Sequence, residues 1–124
     1  MKEVADYMFV CEKGFNRSPV AAKLFLRMAM DNGLEITVGK IGLNIEDSEE
    51  GDLDVSRILN GAKLVFTMDK DLVRKATRSP YNVPPERIIN LNIPDDYSIY
   101  EAAQVRMLEE VLKPKFKPYI DEIQ

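Results

Sequence analysis

The chain has 124 residues, a length typical of one domain with a substantial hydrophobic core. Its apolar content of 45% and charged content of 31% are those of a soluble globular protein, and its net charge of −4 argues against general nucleic-acid binding. No apolar run reaches the roughly 18 residues that a membrane span requires, and the N-terminus does not have the pattern of a signal peptide. We therefore expect one domain over residues 1–124, with neither nucleic acid nor membrane as partner.

The absence of histidine restricts the possible chemistry most strongly. The chain has no histidine and a single cysteine, Cys11. Nucleophile–histidine pairs, histidine metal sites and thiolate zinc clusters are therefore excluded. An enzyme with this sequence would take its acids and bases from Asp, Glu, Cys, Lys or Tyr. A lone cysteine cannot form an internal disulfide, which predicts a reducing, cytoplasmic environment.

Strand and helix patterns alternate along the chain. The strand patterns lie at residues 7–10, 34–38, 63–68 and 87–91, and the helical patterns at 19–33, 53–59, 69–77 and 99–113. For the first helix, Ser18 is the expected N-cap and Gly33 the expected stop. Pro114 and Pro118 are expected to interrupt or kink whatever follows the last helix.

Four alternating strands and helices predict an α/β three-layer sandwich, with a four-stranded parallel sheet and right-handed crossovers. Ligands of such sheets bind beyond the carboxyl ends of the strands. Cys11 follows the predicted first strand, and Asp95 and Asp96 follow the predicted fourth. We therefore expect these two distant segments to meet at one site.

The segment "CEKGFNRSP" after the first strand has the composition of an anion-binding loop. Five residues separate Cys11 from Arg17, enough for backbone N–H groups to surround a tetrahedral anion at the start of the next helix. Arg17 offers a planar fork for two phosphate oxygens, Ser18 a donor to the sulfur, and Gly14 tolerance of positive φ. A buried, inert cysteine is the alternative, but the ordered set of strand, Cys11, Gly14, Arg17 and helix favours a thiolate nucleophile. We call residues 11–17 the anion loop.

Together these segments resemble the low-molecular-weight protein tyrosine phosphatases. "VCEKGFNRSP" resembles their Cys-x5-Arg-Ser-Pro signature, and "GAKLVFTMDKDLVRKA" their third strand and following helix. "RIINLNIPDDY" resembles their acid loop, especially in a branch of short predicted phosphatases with "IPDDY" at this place. The resemblance covers most of the chain and implies a phosphotyrosine phosphatase I-like fold without metal or cofactor.

The resemblance also implies roles for individual residues. Cys11 matches the nucleophile, Arg17 the phosphate-binding arginine and Asp95 the general acid. The remaining matched positions would contact phosphate or substrate: Glu12, Lys13, Gly14, Phe15, Asn16, Ser18, which hydrogen-bonds the thiolate, and Tyr97, beside the substrate ring. We call residues 92–98 the acid loop.

The sequence departs from the family pattern at several of these positions. Lys13 and Gly14 stand where the family has Gly and Asn, and Asn16 stands where many members have a second cysteine. Glu12 brings a carboxylate that would repel phosphate unless it points outward. Asp96 replaces the proline that follows the family's acid, so that Asp96 is an alternative to Asp95.

The predicted function is a cysteine-dependent phosphomonoesterase acting on a phosphorylated protein or a small aryl phosphate. A phosphocysteine carrier of the sugar phosphotransferase type is the alternative, although it would require neither the arginine nor the acid. Arsenate reduction on the same fold would need an external thiol, because the chain has no second cysteine. A non-catalytic phosphate-binding module is a further alternative, since Glu12 and the altered loop depart from the family pattern.

Overall fold

A computed structural model describes residues 5–12, 17–43, 53–79, 81–93 and 101–123. Four strands and four α-helices alternate along this part of the chain, with a short 3₁₀ helix at Pro85–Arg87 before the last strand. In chain order they are β1 (Tyr7–Glu12), α1 (Arg17–Asp31), β2 (Val38–Leu43), α2 (Leu53–Gly61), β3 (Leu64–Thr67), α3 (Lys70–Thr77), β4 (Ile88–Asn90) and α4 (Ala102–Ile123).

The four strands form one parallel sheet in the order β2-β1-β3-β4. The chain steps from β1 to β2 in one direction and from β3 to β4 in the other. Right-handed crossovers therefore place α1 and α3 on opposite faces of the sheet. The predicted α/β sandwich with a four-stranded parallel sheet is confirmed.

Aromatic side chains fill the layer between the sheet and helices α1 and α4. Phe9 and Phe66 occupy paired positions on neighbouring strands, and their rings stack with centroids 4.9 Å apart. Phe25 of α1 and Phe116 of α4 pack against both rings at 5.3–5.8 Å between centroids. All four side chains are fully buried. This cluster fixes α1 and α4 against the strand that carries Cys11.

Helix α1 begins two residues earlier than its pattern predicted. It starts at Arg17, so Ser18 lies within the first turn and the expectation that Ser18 is the N-cap is wrong. Its end agrees with the prediction, because Gly33 has a φ of +73° and closes the helix. The Gly33 N–H donates to the Met30 carbonyl at 3.0 Å, and the Leu34 N–H to the Ala29 carbonyl at 2.9 Å. This pair of bonds is a Schellman motif.

The second strand is the element that the sequence misplaced. The alternating residues 34–38 predicted it, but β2 runs over Val38–Leu43 and shares only Val38 with that prediction. Two glycines give β2 low strand propensity. The strand packs closely at Gly39, where a Cβ would lie 2.7 Å from the Met8 sulfur and would force that side chain to shift. Close packing against β1, rather than local propensity, selects this strand.

The last helix passes through both prolines, so the predicted interruption is wrong, whereas the predicted kink stays a prediction. It begins at Ala102, three residues later than expected, and continues beyond Pro114 and Pro118 to Ile123. Both prolines lie on the exposed face, where water can bind the carbonyl groups that lose their helical partners. On the opposite face Phe116 and Ile120 are buried. Their burial contributes roughly 1.5–3 kcal/mol each and offsets the cost of the prolines.

Arg87 joins the end of α2 to the start of β4. Its guanidinium donates to the carbonyls of Asn60 and Ala62 at 2.8 and 3.0 Å. The Asn60 amide in turn donates to the carbonyls of Ser56 and Tyr81 at 2.9 and 2.6 Å. The Asn60 and Ala62 carbonyls lie at the end of α2, where carbonyl groups have no intrahelical partner, so the Arg87 guanidinium satisfies them.

We expect Arg87→Ala to lower the free energy of unfolding by about 2 kcal/mol, because two partly buried carbonyls lose a charged donor. Urea denaturation measures the effect. Arg74→Ala is the matched control, since the Arg74–Asp71 pair is about half exposed and should contribute less than about 0.5 kcal/mol. Equal losses in the two variants would show that the Arg87 network does not stabilise the fold.

Tyr7 makes the free energy of unfolding depend on pH in the alkaline range. Burial raises the pKa of Tyr7 above its ordinary value of 10.0, and the negative charges of Asp6 and Glu122 raise it further. Between the unfolded and folded pKa values the native state holds more protons than the unfolded state. Stability therefore falls as the pH rises above about 10. In urea titrations at pH 9 and about 11, wild type should lose more stability than Tyr7→Phe, whereas equal losses would contradict this account.

Candidate active site

Cys11 lies at the carboxyl end of β1, as the penultimate residue of that strand. It was expected just past the strand, but backbone pairing with β2 continues through Cys11 and Gly42 to Glu12 and Leu43. On the side of β3 the ladder ends earlier, at Val10 and Thr67. The ladder between β1 and β2 therefore extends two residues beyond the ladder between β1 and β3, and Cys11, which is 4% exposed, lies in this extension.

Strand alternation determines the direction of the Cys11 side chain. Phe9 faces Phe25 of α1 and Phe116 of α4. Because side chains two residues apart share a face, Cys11 belongs to the same face. Glu12, the half-buried last residue of β1, belongs to the opposite face. The carboxylate of Glu12 is therefore directed away from the sulfur.

Helix α1 brings its positive end to the same edge of the sheet. The helix packs against β1 and β2 and begins at Arg17, six residues after Cys11. A helix that returns after a parallel strand starts at the strand's carboxyl edge, so the unpaired N–H groups of its first turn lie at that edge. A strand, a short connection and a helix N-terminus in this order form an anion-binding arrangement.

The strand order places Cys11 at a switch point. The connection from β1 leads to one side of the sheet, and the later connection leads to β3 on the other side. In open α/β sheets the ligand crevice lies beyond the carboxyl ends of the two strands where this reversal occurs. Here those strands are β1 and β3.

The acid loop also starts at the carboxyl edge of the sheet, after β4, which lies two strands away from β1. The Ile93 N–H donates to the Met68 carbonyl at 2.7 Å, and the Met68 N–H donates to the Val10 carbonyl at 3.2 Å. Val10 directly precedes Cys11. Since neighbouring strands lie about 4.8 Å apart, Ile93 is held about 10 Å across the sheet from β1.

The same architecture occurs in several solved structures. A low molecular weight protein tyrosine phosphatase from Bacillus subtilis is 23% identical, with a TM-score of 0.63 over 90% of this chain and 95% of its own. A mutant of the arginine phosphatase YwlE, with a phosphorylated active-site serine, is 19% identical, with a TM-score of 0.65 over 91% and 94%. Wzb of Vibrio vulnificus, in complex with benzylphosphonate, is 15% identical, with a TM-score of 0.64 over 94% and 97%. No protein-family model and no curated protein sequence matches the chain.

The chain has the fold of the low-molecular-weight protein tyrosine phosphatases.

Within this phosphatase fold, several residues predicted from the sequence lie outside the described part of the chain. They are Lys13, Gly14, Phe15 and Asn16 of the anion loop, and Asp95, Asp96 and Tyr97 of the acid loop. Arg17 and Ser18 are placed by their backbone in the first turn of α1. The roles assigned to these residues remain predictions, whereas Cys11 and Glu12 have defined positions in β1.

Two surface cavities of the phosphatase fold contain none of the predicted site residues. A groove of about 420 Å³ on α4 is lined by Ala103, Arg106, Met107, Glu110 and Val111. A polar depression of about 210 Å³ on α3 is lined by Asp71, Arg74, Lys75 and Arg78. In the described residues no three Cys, Asp or Glu side chains converge as metal ligands, and no helix is both long and apolar enough to cross a membrane.

The sequence pattern did not predict how the acid loop is attached. The segment "NIPDDYS" was interpreted as an ordinary loop, but its first two residues are tied to the sheet. Asn92 has a φ of +54°, and its N–H donates to the Asn90 side chain at 2.8 Å. Two asparagines flanking the buried Leu91 were the available signal, because asparagine tolerates left-handed backbone.

Proposed function

We propose that the protein is a cysteine-dependent phosphomonoesterase of the protein tyrosine phosphatase type. The observation that carries this proposal is the position of Cys11 at the switch point of the sheet, directly before the N-terminus of α1. A thiolate there would lie beneath an anion held by backbone N–H groups and the helix dipole. The structural neighbours named as phosphatases have the same fold and support this proposal.

In the first step the phosphate group binds in the anion loop. Backbone N–H groups of residues 12–16 and the fork of Arg17 bind its oxygens. The Cys11 thiolate attacks phosphorus in line, the bond from phosphorus to the ester oxygen breaks, and Asp95 gives its proton to that oxygen. Arg17 and the loop N–H groups stabilise the charge on the transferring group, and Ser18 donates to the sulfur.

In the second step water hydrolyses the phosphocysteine. Asp95, now a carboxylate, takes a proton from water as the water oxygen attacks phosphorus and the bond from sulfur to phosphorus breaks. Inorganic phosphate and the Cys11 thiolate are the products. The serine that is phosphorylated in the YwlE mutant supports an intermediate of this kind.

Chain geometry allows Asp95 to perform both proton transfers. Ile93 is anchored about 10 Å from β1. Two further extended residues span at most about 7 Å and the aspartate side chain adds about 3 Å, so the chain is long enough for a carboxylate at position 95 to reach the space above Cys11. Tyr97 would then lie beside the substrate ring, which fits an aryl phosphate or a phosphotyrosyl protein as substrate.

The orientation of Glu12 removes one objection to a catalytic role. A carboxylate directed into the anion loop would repel phosphate and favour a non-catalytic module. Glu12 instead lies on the face of β1 opposite to Cys11. The phosphocysteine carrier remains the alternative reaction. The two reactions differ in the phosphoryl acceptor, which is water for the phosphatase.

With one cysteine in the chain, we place the activity in a reducing, cytoplasmic environment, in a single phosphatase-like domain over residues 1–124.

Hydrolysis of 4-nitrophenyl phosphate and of a phosphotyrosyl peptide, in buffer containing a metal chelator, tests the proposal. We expect catalytic turnover of both substrates and competitive inhibition by inorganic phosphate, which should occupy the anion loop. Phosphate binding without product release would favour the non-catalytic module. Release of a single equivalent that stops until an acceptor is added would favour the carrier.

We also expect hydrogen peroxide to inactivate the enzyme in a way that added thiol reverses only at early times. A thiolate in the anion site would be oxidised first to a sulfenic acid and then irreversibly to a sulfinic acid. The chain has no second cysteine to trap the first product as an internal disulfide. Saturating phosphate should slow the inactivation. If phosphate gives no protection, Cys11 does not lie in the anion site.

A further inference from the structure

The chain leaves β4 through a residue with unusual backbone geometry. Asn92 has a φ of +54°, in the left-handed region that residues other than glycine rarely adopt. Its side chain is exposed, whereas the flanking Leu91 and Ile93 are 2% and 1% exposed. Asparagine tolerates this conformation better than most other residues do, and the two buried neighbours hold Asn92 in it.

Hydrogen bonds just beyond the end of β4 show that Asn92 is an extra residue relative to the segment that follows β3. The Leu91 N–H donates to the Thr67 carbonyl at 2.8 Å. In a regular parallel ladder the next bond would join the Ile93 N–H to the Asp69 carbonyl, two residues further along. It joins the Met68 carbonyl instead, at 2.7 Å. Two residues on the β4 side thus match one on the β3 side, which is the geometry of a bulge.

The start of α3 explains why the ladder cannot continue regularly. Asp69 is the N-cap of α3, and its carbonyl accepts the Val73 N–H at 3.2 Å. The Met68 carbonyl precedes this cap and is available to Ile93. On the other side of the bulge, the Asn90 side-chain oxygen accepts the Asn92 N–H at 2.8 Å and closes the turn.

We propose that Asn92, held by Asn90, is a positioning residue for the general acid, an inference that rests on the proposed phosphatase function. The bulge fixes where Ile93 attaches to Met68, and Met68 is bonded to Val10, beside Cys11. Without the bulge every residue after Asn92 would advance by one position. Ile93 would then lie opposite Asp69 rather than Met68, and the acid loop would leave the sheet from a point shifted by one residue relative to Cys11.

The experiment compares variants at two left-handed asparagines. Asn92→Val should disrupt the bulge, because a β-branched residue does not tolerate positive φ, whereas Asn92→Gly preserves it. Asn82→Val is the matched control: Asn82 has a φ of +48° and is also exposed, but it precedes β4 and lies at the opposite edge of the sheet. The readout is kcat on phenyl phosphate divided by kcat on 4-nitrophenyl phosphate.

Loss of acid catalysis affects the poorer leaving group more. We expect Asn92→Val to lower this ratio by about 10-fold or more, and Asn92→Gly and Asn82→Val to retain the wild-type ratio. The limb of the pH profile that reports the acid should weaken in Asn92→Val only. A purely structural role would instead lower both rates equally, in proportion to the folded fraction.

Two results would overturn the inference. One is an unchanged ratio in a folded Asn92→Val protein, and the other is an equal change in Asn82→Val. If Asn92→Val does not fold, Asn90→Ala tests the inference instead, because this substitution removes the acceptor of the Asn92 N–H and leaves Asn92 in place. An unchanged ratio there, with Asn90→Asp as the acceptor-preserving control, also overturns the inference. A wild-type protein that hydrolyses neither substrate contradicts the proposed function itself.

Discussion

Replacing Cys11 with serine should abolish hydrolysis of 4-nitrophenyl phosphate while phosphate binding persists. A serine hydroxyl has nearly the shape of the thiol, and the anion loop is otherwise unchanged. The serine hydroxyl remains protonated at neutral pH, however, and the chain has no histidine to activate it. Loss of an essential nucleophile lowers kcat by about 10⁴-fold or more. Steady-state kinetics measures the loss, and calorimetric titration with inorganic phosphate measures the binding.

Arg17→Lys provides the companion measurement. A lysine keeps the positive charge but replaces the bidentate fork with a point charge, so both phosphate affinity and kcat should fall. Cys11→Ser should therefore separate catalysis from binding, whereas Arg17→Lys should reduce both. A serine variant that retains near wild-type rates would contradict the phosphatase mechanism.

Asp95→Asn should lose activity mainly on substrates with poor leaving groups. A general acid contributes about 10²–10⁴-fold to rate, and an alkyl phosphate requires that contribution far more than a nitrophenyl ester, whose leaving group is stable as an anion. Wild type should show a bell-shaped pH profile with its optimum below about pH 7, because the acid must be protonated while the sulfur is ionised. The Asp95→Asn profile should lack the limb that reports the acid.

Asp96→Asn is the matched control for this prediction. Neighbouring side chains in extended backbone point in opposite directions, so only one of the two carboxylates should face the leaving oxygen. If the effects of the two variants are reversed, the acid is Asp96. If neither substitution matters on any substrate, the acid loop does not reach the site.

Most of the fold could be predicted because local pattern and tertiary packing agree. Residues 63–68 predicted β3, and Asp69 initiates α3 through its side-chain contacts with two backbone N–H groups. The prediction of β2 was wrong because packing opposed propensity at Gly39. The predicted interruption at Pro114 was wrong because the proline is exposed and burial of the opposite face outweighs its cost.

The position of Cys11 at the carboxyl end of a buried strand could be predicted because its signal is local. Cys11 is the penultimate residue of β1, which precedes helix α1, and both elements have clear hydrophobic patterns. The attachment of the acid loop could not be predicted in this way. It depends on which carbonyl of Thr67, Met68 or Asp69 is available to the segment after β4, and that availability follows from the cap of α3.

The covalent intermediate tests the central claim most directly. Wild-type protein is mixed with 4-nitrophenyl phosphate, quenched rapidly, and its peptides are analysed by mass spectrometry under conditions that preserve phosphocysteine. We expect a burst of nitrophenolate equal to the enzyme concentration, with one phosphoryl group on the peptide that contains Cys11. Continued turnover by a protein that never carries this group would contradict the account.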